Sequence, residues 1–151
     1  MFCDGINVIS TKTGLPTNRI GMWKFYFPNG ELEHLQEYDK DGKLINQKTY
    51  SLNGTLIYSE TVTDNITNAN FYYDNGKIKT ESISKIVTES NGDDDSETTH
   101  ETLKEYLPNG LLYSQSNYKD GNLEGLKNIW DTTGNLVLSI EYKNGLIIQK
   151  K

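Results

Sequence analysis

The chain has 151 residues, of which 34% are hydrophobic and 24% are charged, with ten tyrosines and three prolines. This length is sufficient for one domain, but the hydrophobic content lies below the ~45–50% typical of globular domains, which predicts a thin core. The formal net charge is −6 and the sequence has no basic cluster, which argues against direct binding of DNA or RNA.

Residues 1–20 precede the first recognisable repeat and are predicted to form a lead-in segment or strand. The single cysteine, Cys3, excludes an internal disulfide framework. No stretch reaches the ~20 apolar residues of a membrane span, and no apolar signal core follows Met1. These features predict a cytoplasmic protein. The alternative is a periplasmic or outer-membrane lipoprotein, if Cys3 is the lipid-attachment site of a trimmed precursor.

Glycines then recur with most gaps between 11 and 13 residues, in turn sequences such as PNG, KDG and KNG. Asn-Gly and Asp-Gly pairs accept left-handed backbone angles, so each is predicted to close a hairpin turn. Asn65 lies midway in the longer gap between Gly54 and Gly76 and is predicted to supply the same positive φ. Gly125 lies inside a predicted strand and indicates a bulge. The predicted structural turn glycines are Gly30, Gly42, Gly54, Gly76, Gly110, Gly121, Gly134 and Gly145.

Two other residue types follow the same spacing. An aliphatic residue stands two positions after each turn glycine, from Leu32 to Ile147, and aromatic residues recur at steps of 12 in two series. Such self-similarity indicates a repeat protein. Polar residues lie mid-strand and apolar residues lie near the turns, which favours a single layer over a sandwich. The predicted fold is all-β: an elongated, open, curved and largely single-layer antiparallel β-meander.

The gap between Gly76 and Gly110 contains an acidic segment. Strand-like sequences flank residues 89–97, ESNGDDDSE, which are predicted to form a long hairpin loop inserted into the repeat array. Between Ile86 and Leu103 there are six acidic residues and no Lys or Arg, and the 15 acids elsewhere balance the 15 basic residues. The loop is predicted to be solvated. The alternative is a docking arm for a basic partner, because clustered charge accelerates association.

Signals for catalysis and metal binding are absent from the sequence. His34 and His100 are the only histidines and have no Cys or Asp at ligand spacing. The segment EYDKDGKLINQK superficially resembles an EF-hand, but Lys48 stands where the bidentate Glu is needed. No nucleophile elbow, HExxH or phosphate loop is present. The prediction is a protein that is not an enzyme, with no cofactor and no metal.

The segments GMWKFYFPNGEL (Gly21–Leu32) and GLKNIWDTTGNL (Gly125–Leu136) resemble MORN-type repeats, named for membrane occupation and recognition nexus. The likeness is to the second variant, whose Y-x-x-N-G-x-L spacing is typical of bacterial YwqK-family antitoxins. It covers residues 21–80 and 102–151 and implies a single MORN-like β-repeat domain at 21–151. The function it implies is an antitoxin or immunity protein that binds and occludes a cognate toxin.

Two alternative functions stay open. One is a MORN-repeat scaffold or membrane-surface binding module, against which the absence of a basic stripe argues. The other is a cell-surface lipoprotein of unknown role. The expected partner is a protein, a toxin with a basic surface, and the expected state is a monomer or a dimer paired through exposed sheet edges.

The predicted partner-binding residues are of two kinds, aromatic and acidic. Aromatic side chains dominate interface hot spots, and those of the repeat are expected to line one rim of the sheet, where they can also pack on the leucines that follow the glycines. Trp23, near a terminal edge, is expected to do both. The set is Trp23, Tyr26, Tyr38, Tyr50, Tyr106, Tyr118, Trp130, Tyr142, Asp93, Asp94, Asp95 and Glu97.

Overall fold

The computed structural model describes residues 2–9, 16–91 and 94–150, and every regular element in these ranges is a β-strand. The chain divides into two compact units, residues 1–63 and 64–151. The first unit contains β1 (Phe2–Ile9), β2 (Pro16–Tyr26), β3 (Leu32–Tyr38), β4 (Leu44–Tyr50) and β5 (Leu56–Thr63). The second contains β6 (Ile66–Tyr72), β7 (Ile78–Asn91), β8 (Asp94–Tyr106), β9 (Leu112–Lys119), β10 (Asn122–Leu123), β11 (Gly125–Trp130), β12 (Leu136–Lys143) and β13 (Leu146–Lys150).

Within each unit the strands pair antiparallel in chain order, except that β10 and β11 both pair with β9. The predicted all-β class and antiparallel meander are therefore confirmed. The thin core is also observed: among the described side chains, Trp23 and Phe25 are the buried hydrophobic residues, with 5% and 8% exposure. The single domain predicted over residues 21–151 stays a prediction, and β1 lies in the predicted lead-in segment.

Six turns follow one local rule, and their glycines are Gly30, Gly42, Gly54, Gly76, Gly110 and Gly134. In each, the glycine N–H donates to the carbonyl three residues earlier at 2.7 to 3.1 Å, as in a three-residue hairpin loop closed by a left-handed glycine. A side-chain oxygen accepts the next N–H along the chain. It belongs to an Asn just before the glycine, as at Asn29, or to an Asp three residues before it, as at Asp131. Bonds from Thr133 and Asn135 lower the pKa of Asp131 to about 2.

All eight turn glycines have φ between 77° and 93°. Replacing Gly134 with alanine is therefore expected to lower the free energy of unfolding by about 1–2 kcal/mol, since a left-handed backbone strains any residue that has a Cβ. An added Cβ at Gly134 meets no atom within 4 Å, so the strain lies in the backbone alone. Gly134→Asn should cost less, because Asn tolerates positive φ. Denaturant unfolding of the three proteins measures this, and an alanine variant as stable as the parent would contradict it.

The prediction for Asn65 is wrong. The left-handed residue of that turn is Asp64, with φ 43°, and Asn65 is not among the described residues with positive φ. In the two other two-residue turns the second position is a glycine, Gly121 or Gly145, and is left-handed, whereas Asn65 carries a Cβ and only Asp64 before it takes that angle. Asn65 instead bonds to β7, where its Nδ2 donates to the Ile86 carbonyl at 2.7 Å.

The predicted bulge near Gly125 is present. The partner of Leu123 is Tyr118, whereas the partner of Asn128 is Gln115. Four residues, 124–127, therefore lie opposite two on β9. Gly125 has φ 77° and begins β11 after the break at Glu124.

The prediction of a long loop at residues 89–97 is wrong, because β7 and β8 continue through most of this segment. β7 and β8 stay in register from Thr80↔Glu105 to Asn91↔Asp94. The outer rungs bring β-branched residues together, as in Ile86↔Thr99 and Val87↔Thr98, and such pairs favour a continued ladder. The acidic residues are thus carried on strands, with Asp93 outside the described residues.

Candidate partner-binding surfaces

The side chain of Arg19 lies over the aromatic residues of the first unit. Its guanidinium carbon is 4.9 Å from the centroid of the Trp23 ring, 5.1 Å from that of Phe25 and 5.9 Å from that of Tyr38. Trp23 and Phe25 are two residues apart on β2, so they share a face, and their rings stack with centroids 6.4 Å apart. Trp23 thus packs inside the unit and is covered by Arg19 instead of presenting its ring to solvent.

A row of polar side chains continues from this cluster across the same face. The Arg19 Nη1 donates to the Tyr38 hydroxyl at 3.2 Å, and that hydroxyl donates to Gln36 at 2.9 Å. Gln36 faces Gln47 on β4, and Tyr58 on β5 donates to Glu60. Burial, and then the neighbouring Glu60 carboxylate, raise the pKa of Tyr58 to about 12. The face is polar and its side chains are held in place by one another.

The second unit has a similar polar row, whose members are direct partners on successive strands. They are Asn70, Glu81, Lys104, Gln115, Asn128 and Ser139. Lys104 Nζ lies 2.7 Å from Glu81 Oε2, and the Tyr106 hydroxyl donates to the same oxygen at 3.1 Å. Ser139 donates to Asn128 at 2.7 Å. Both units therefore present half-buried polar side chains mid-strand, and pairs such as Glu81 with Lys104 and Asn128 with Ser139 are bonded to each other.

The Glu81–Lys104–Tyr106 cluster is expected to make stability fall at both ends of the pH range. The Lys104 bond lowers the pKa of Glu81, so its contribution is present above the unfolded pKa of about 4.5 and is lost as pH falls below it. The Glu81 bond raises the pKa of Lys104, and burial raises that of Tyr106, so these contributions are lost as pH rises past about 10.

Unfolding free energies from pH 2 to 11 for the parent and for Glu81→Gln measure this effect. The difference between the two proteins should be greatest near neutral pH. A difference that is constant across the range would contradict the expectation.

The aromatic residues of the repeat do not line one rim, so that prediction is wrong. Tyr26 ends β2 and Tyr38 ends β3, and because consecutive strands run in opposite directions these residues lie at opposite ends of the hairpin. Each instead pairs with the aliphatic residue that follows its turn, as in Tyr26↔Leu32 and Trp130↔Leu136. The aromatic side chains in these pairs are half-buried, and they belong to Tyr26, Tyr38, Tyr50, Tyr106, Tyr118, Trp130 and Tyr142.

The aromatic residues predicted from the sequence did not include Tyr72. It pairs with Ile78 as the other aromatic residues pair with their aliphatic partners. The signal was available, because Tyr72 stands four residues before Gly76, as Tyr26 does before Gly30.

The β7–β8 hairpin extends beyond its neighbouring strands. β6 pairs with β7 as far as Lys85, and β9 pairs with β8 only from His100. Residues 86–91 and 94–99 therefore pair only with each other among the described strands, and we call them the arm. At ~3.4 Å per residue, six residues per strand give a length of about 20 Å.

The arm has a fixed base and an acidic face. At the base, the Ile86 N–H donates to Asn65 at 2.9 Å, and the Thr99 N–H donates to the Asp120 carboxylate at 2.8 Å. Asp95 and Glu97 are exposed and share a face with Ile86, which is 44% exposed. Of the predicted acidic residues, Asp94 lies in β8 opposite Asn91. The arm thus presents two carboxylates and one apolar side chain on the same face.

An open depression of about 380 Å³ lies in the second unit beside the base of the arm. Lys85 and His100, which are direct partners on β7 and β8, line it together with Ile83, Thr102 and Asn117. Across the described ranges, no group of three His, Cys, Asp or Glu side chains is placed to hold a metal ion. The depression combines the Lys85 ammonium, the carboxylates of Glu101 and Glu124 and neutral polar side chains on an open sheet surface.

Two stretches of the chain, residues 19–40 and 68–85, match the family model of the MORN repeat variant. The first spans most of the β2–β3 hairpin in one unit, and the second spans most of the β6–β7 pairing in the other. No curated protein matches the chain. The chain therefore carries MORN-type repeats, and such repeats favour a scaffold or a binding module.

Proposed function

We propose that this protein is a binding module of the immunity type, which neutralises a toxic partner protein by covering that partner's active surface without catalysing a reaction. The observation that carries the proposal is the arm. Hydrogen bonds hold the base of this hairpin, and its exposed carboxylates extend beyond the neighbouring strands. The body of the sequence is charge-balanced, so the attractive charge for a partner is concentrated in this one element.

The partner is accordingly a protein with a basic active surface. Charge concentrated on a projecting element steers such a partner during its approach, which raises the association rate. Ile86 on the same face supplies apolar contact once the carboxylates are engaged. The bonded pairs within the polar rows of both units add side chains that are already ordered, so that binding to them costs little side-chain entropy.

Co-expression with the neighbouring open reading frame tests the proposal. The product of that frame is expected to arrest growth when expressed alone and to be tolerated when this chain is present. An Asp95→Asn/Glu97→Gln variant should protect less well than the parent at equal expression. A harmless neighbouring product, or undiminished toxicity in the presence of this chain, would overturn the proposal.

The MORN repeat match also favours a repeat scaffold, and a scaffold that binds a membrane surface is the second candidate. Anionic lipids attract basic clusters, with about 1 kcal/mol for each Lys or Arg near the surface, and this chain has an acidic arm. Sedimentation with vesicles of 30% phosphatidylserine separates the two candidates. Strong, salt-sensitive binding to these vesicles but not to neutral vesicles would favour the scaffold.

A further inference from the structure

A row of basic side chains crosses the sheet at the base of the arm. Lys85 on β7 is the direct partner of His100 on β8, which is in turn the direct partner of Lys119 on β9. Direct partners on neighbouring strands share a face, and their Cβ atoms lie about 4.5–5.5 Å apart. These three residues, which we call the basic row, place up to three positive charges on one face of a chain whose net charge is −6.

The basic row lacks the acidic partner that the same two strands provide elsewhere on this face. Four residues along each strand, Glu81 and Lys104 form an ion pair at 2.7 Å. In the basic row, the Lys85 ammonium and the His100 imidazole make no hydrogen bond or ion pair with any described residue. Like charges on directly opposed residues destabilise a sheet. Departures from a local rule are typical of functional sites, and this one points to an anionic ligand.

The open depression beside the basic row gives such a ligand space. Its volume of about 380 Å³ lies within the range of small-molecule sites, which is about 300–1,000 Å³. Lys85 and His100 line it, and Ile83 adds an apolar side chain that is 36% exposed. The depression can therefore hold a charged group at its basic residues and a small organic group at Ile83.

The carboxylates that line the depression are bonded to other donors. Glu101 accepts the Ser82 hydroxyl at 2.7 Å. Glu124 accepts a backbone N–H of the turn between β12 and β13, also at 2.7 Å. Because side chains alternate between the faces of a strand, the two exposed carboxylates of the arm lie on the opposite face of the sheet. Lys85 and His100 are therefore available to an anionic ligand.

We propose that the depression binds the phosphate group of a small soluble phosphomonoester, with Lys85 and His100 as its donors and Ile83 in contact with the organic part. A phosphate monoester carries a charge of about −1.5 to −2 at pH 7. A point-charge donor such as a lysine ammonium therefore attracts it more strongly than it attracts a carboxylate. A membrane phosphate would bring the whole chain, with its net charge of −6, to an anionic surface, so the ligand is a soluble molecule.

Proton NMR of the full chain tests the proposal, because the sequence contains only two histidines. Inorganic phosphate and glycerol 3-phosphate are each titrated to 50 mM at fixed pH and ionic strength. The ring-proton resonance of His100 should move saturably, with a dissociation constant on the order of 1–10 mM because the site is open to water. His34 is the internal control. It lies in the first unit, with its Nδ1 3.0 Å from Thr49 Oγ1, and its resonance should not move.

Lys85→Gln should weaken the binding of both probes about three- to tenfold, because it removes one charged donor from the site. Its circular-dichroism spectrum should be unchanged, since Lys85 is exposed. Lys24→Gln is the matched control, because Lys24 is an exposed lysine within β2 and its replacement removes the same charge. This control should bind both probes as the parent does. Sedimentation with vesicles of 30% phosphatidic acid tests the membrane source, and the parent should not bind these vesicles.

Four results would overturn the proposal: a His100 resonance that stays in place up to 50 mM, an equal movement of the His34 resonance, equal affinities of the parent and Lys85→Gln, or binding to the vesicles without binding to glycerol 3-phosphate. Lys85→Gln leaves the carboxylates of the arm intact, so toxin neutralisation by this variant is not expected to change. A failure of this proposal therefore leaves the proposed function untouched, and the reverse also holds.

Discussion

Replacing Trp23 with alanine is expected to destabilise the first unit by about 3–5 kcal/mol, the usual cost of deleting a large buried aromatic side chain. Trp23 has 5% exposure and stacks on Phe25 beneath Arg19. In a sheet with so few buried apolar side chains, no neighbouring layer can collapse into the space. The loss is comparable to the entire stability of a marginal domain, which is about 5–15 kcal/mol.

Met22→Ala is the matched control for Trp23→Ala. Met22 is the preceding residue on the same strand, points to the opposite face and has 54% exposure, so its loss should cost within about 0.5 kcal/mol. Denaturant unfolding followed by circular dichroism measures both variants without relying on tryptophan fluorescence. Similar stabilities for the two variants would show that the core does not lie at Trp23.

Neutralising the arm is expected to slow association with a basic partner about three- to tenfold at low salt, while the melting temperature stays nearly unchanged. Charge clusters raise association rates by about 10- to 1,000-fold, and Asp95→Asn/Glu97→Gln removes two of the arm's carboxylates. Both side chains are exposed, so their loss removes no packing. The rate for this variant should also depend less steeply on salt than that of the parent.

The control for the arm is Glu31→Gln/Asp74→Asn, which removes the same number of charges from exposed turn residues. Stopped-flow or surface-plasmon kinetics with the partner measure the parent and both variants at several salt concentrations. Equal slowing in both variants would assign the effect to net charge and not to the arm. A large fall in the melting temperature of the arm variant would mean that its carboxylates are structural.

The fold was predictable because the information for it is local. A turn glycine needs a left-handed backbone, and an Asn or Asp close before it accepts the amide that follows, as Asn109 and Asp39 do. These signals repeat along the chain and fix where strands end, and strands joined by tight turns are antiparallel. The pairing of each aromatic residue with the aliphatic residue beyond its turn then follows from the loop length.

The errors arose where long-range pairing decides the structure. The acidic composition of residues 89–97 favours a solvated loop, yet the pairing of β7 with β8 overrides this preference. A spacing of 12 between aromatic residues predicts a stripe along one rim only if the direction of each strand is ignored. Because each turn reverses the chain, successive aromatic residues lie at opposite ends of their strands. Trp23 is covered by Arg19 of the same strand, and the Tyr38 hydroxyl that accepts a hydrogen bond from Arg19 is brought there by the pairing of β3 with β2, which no local signal reveals.

The proposed occlusion of a toxic partner is tested by titrating the purified neighbouring gene product with this protein while its toxic activity is assayed in vitro. Inhibition is expected to be linear and to reach completion at one equivalent, because a binding module blocks one partner molecule per copy. Complete inactivation far below one equivalent would indicate turnover by an enzyme. Full activity at a large excess of this protein would show that no neutralising complex forms.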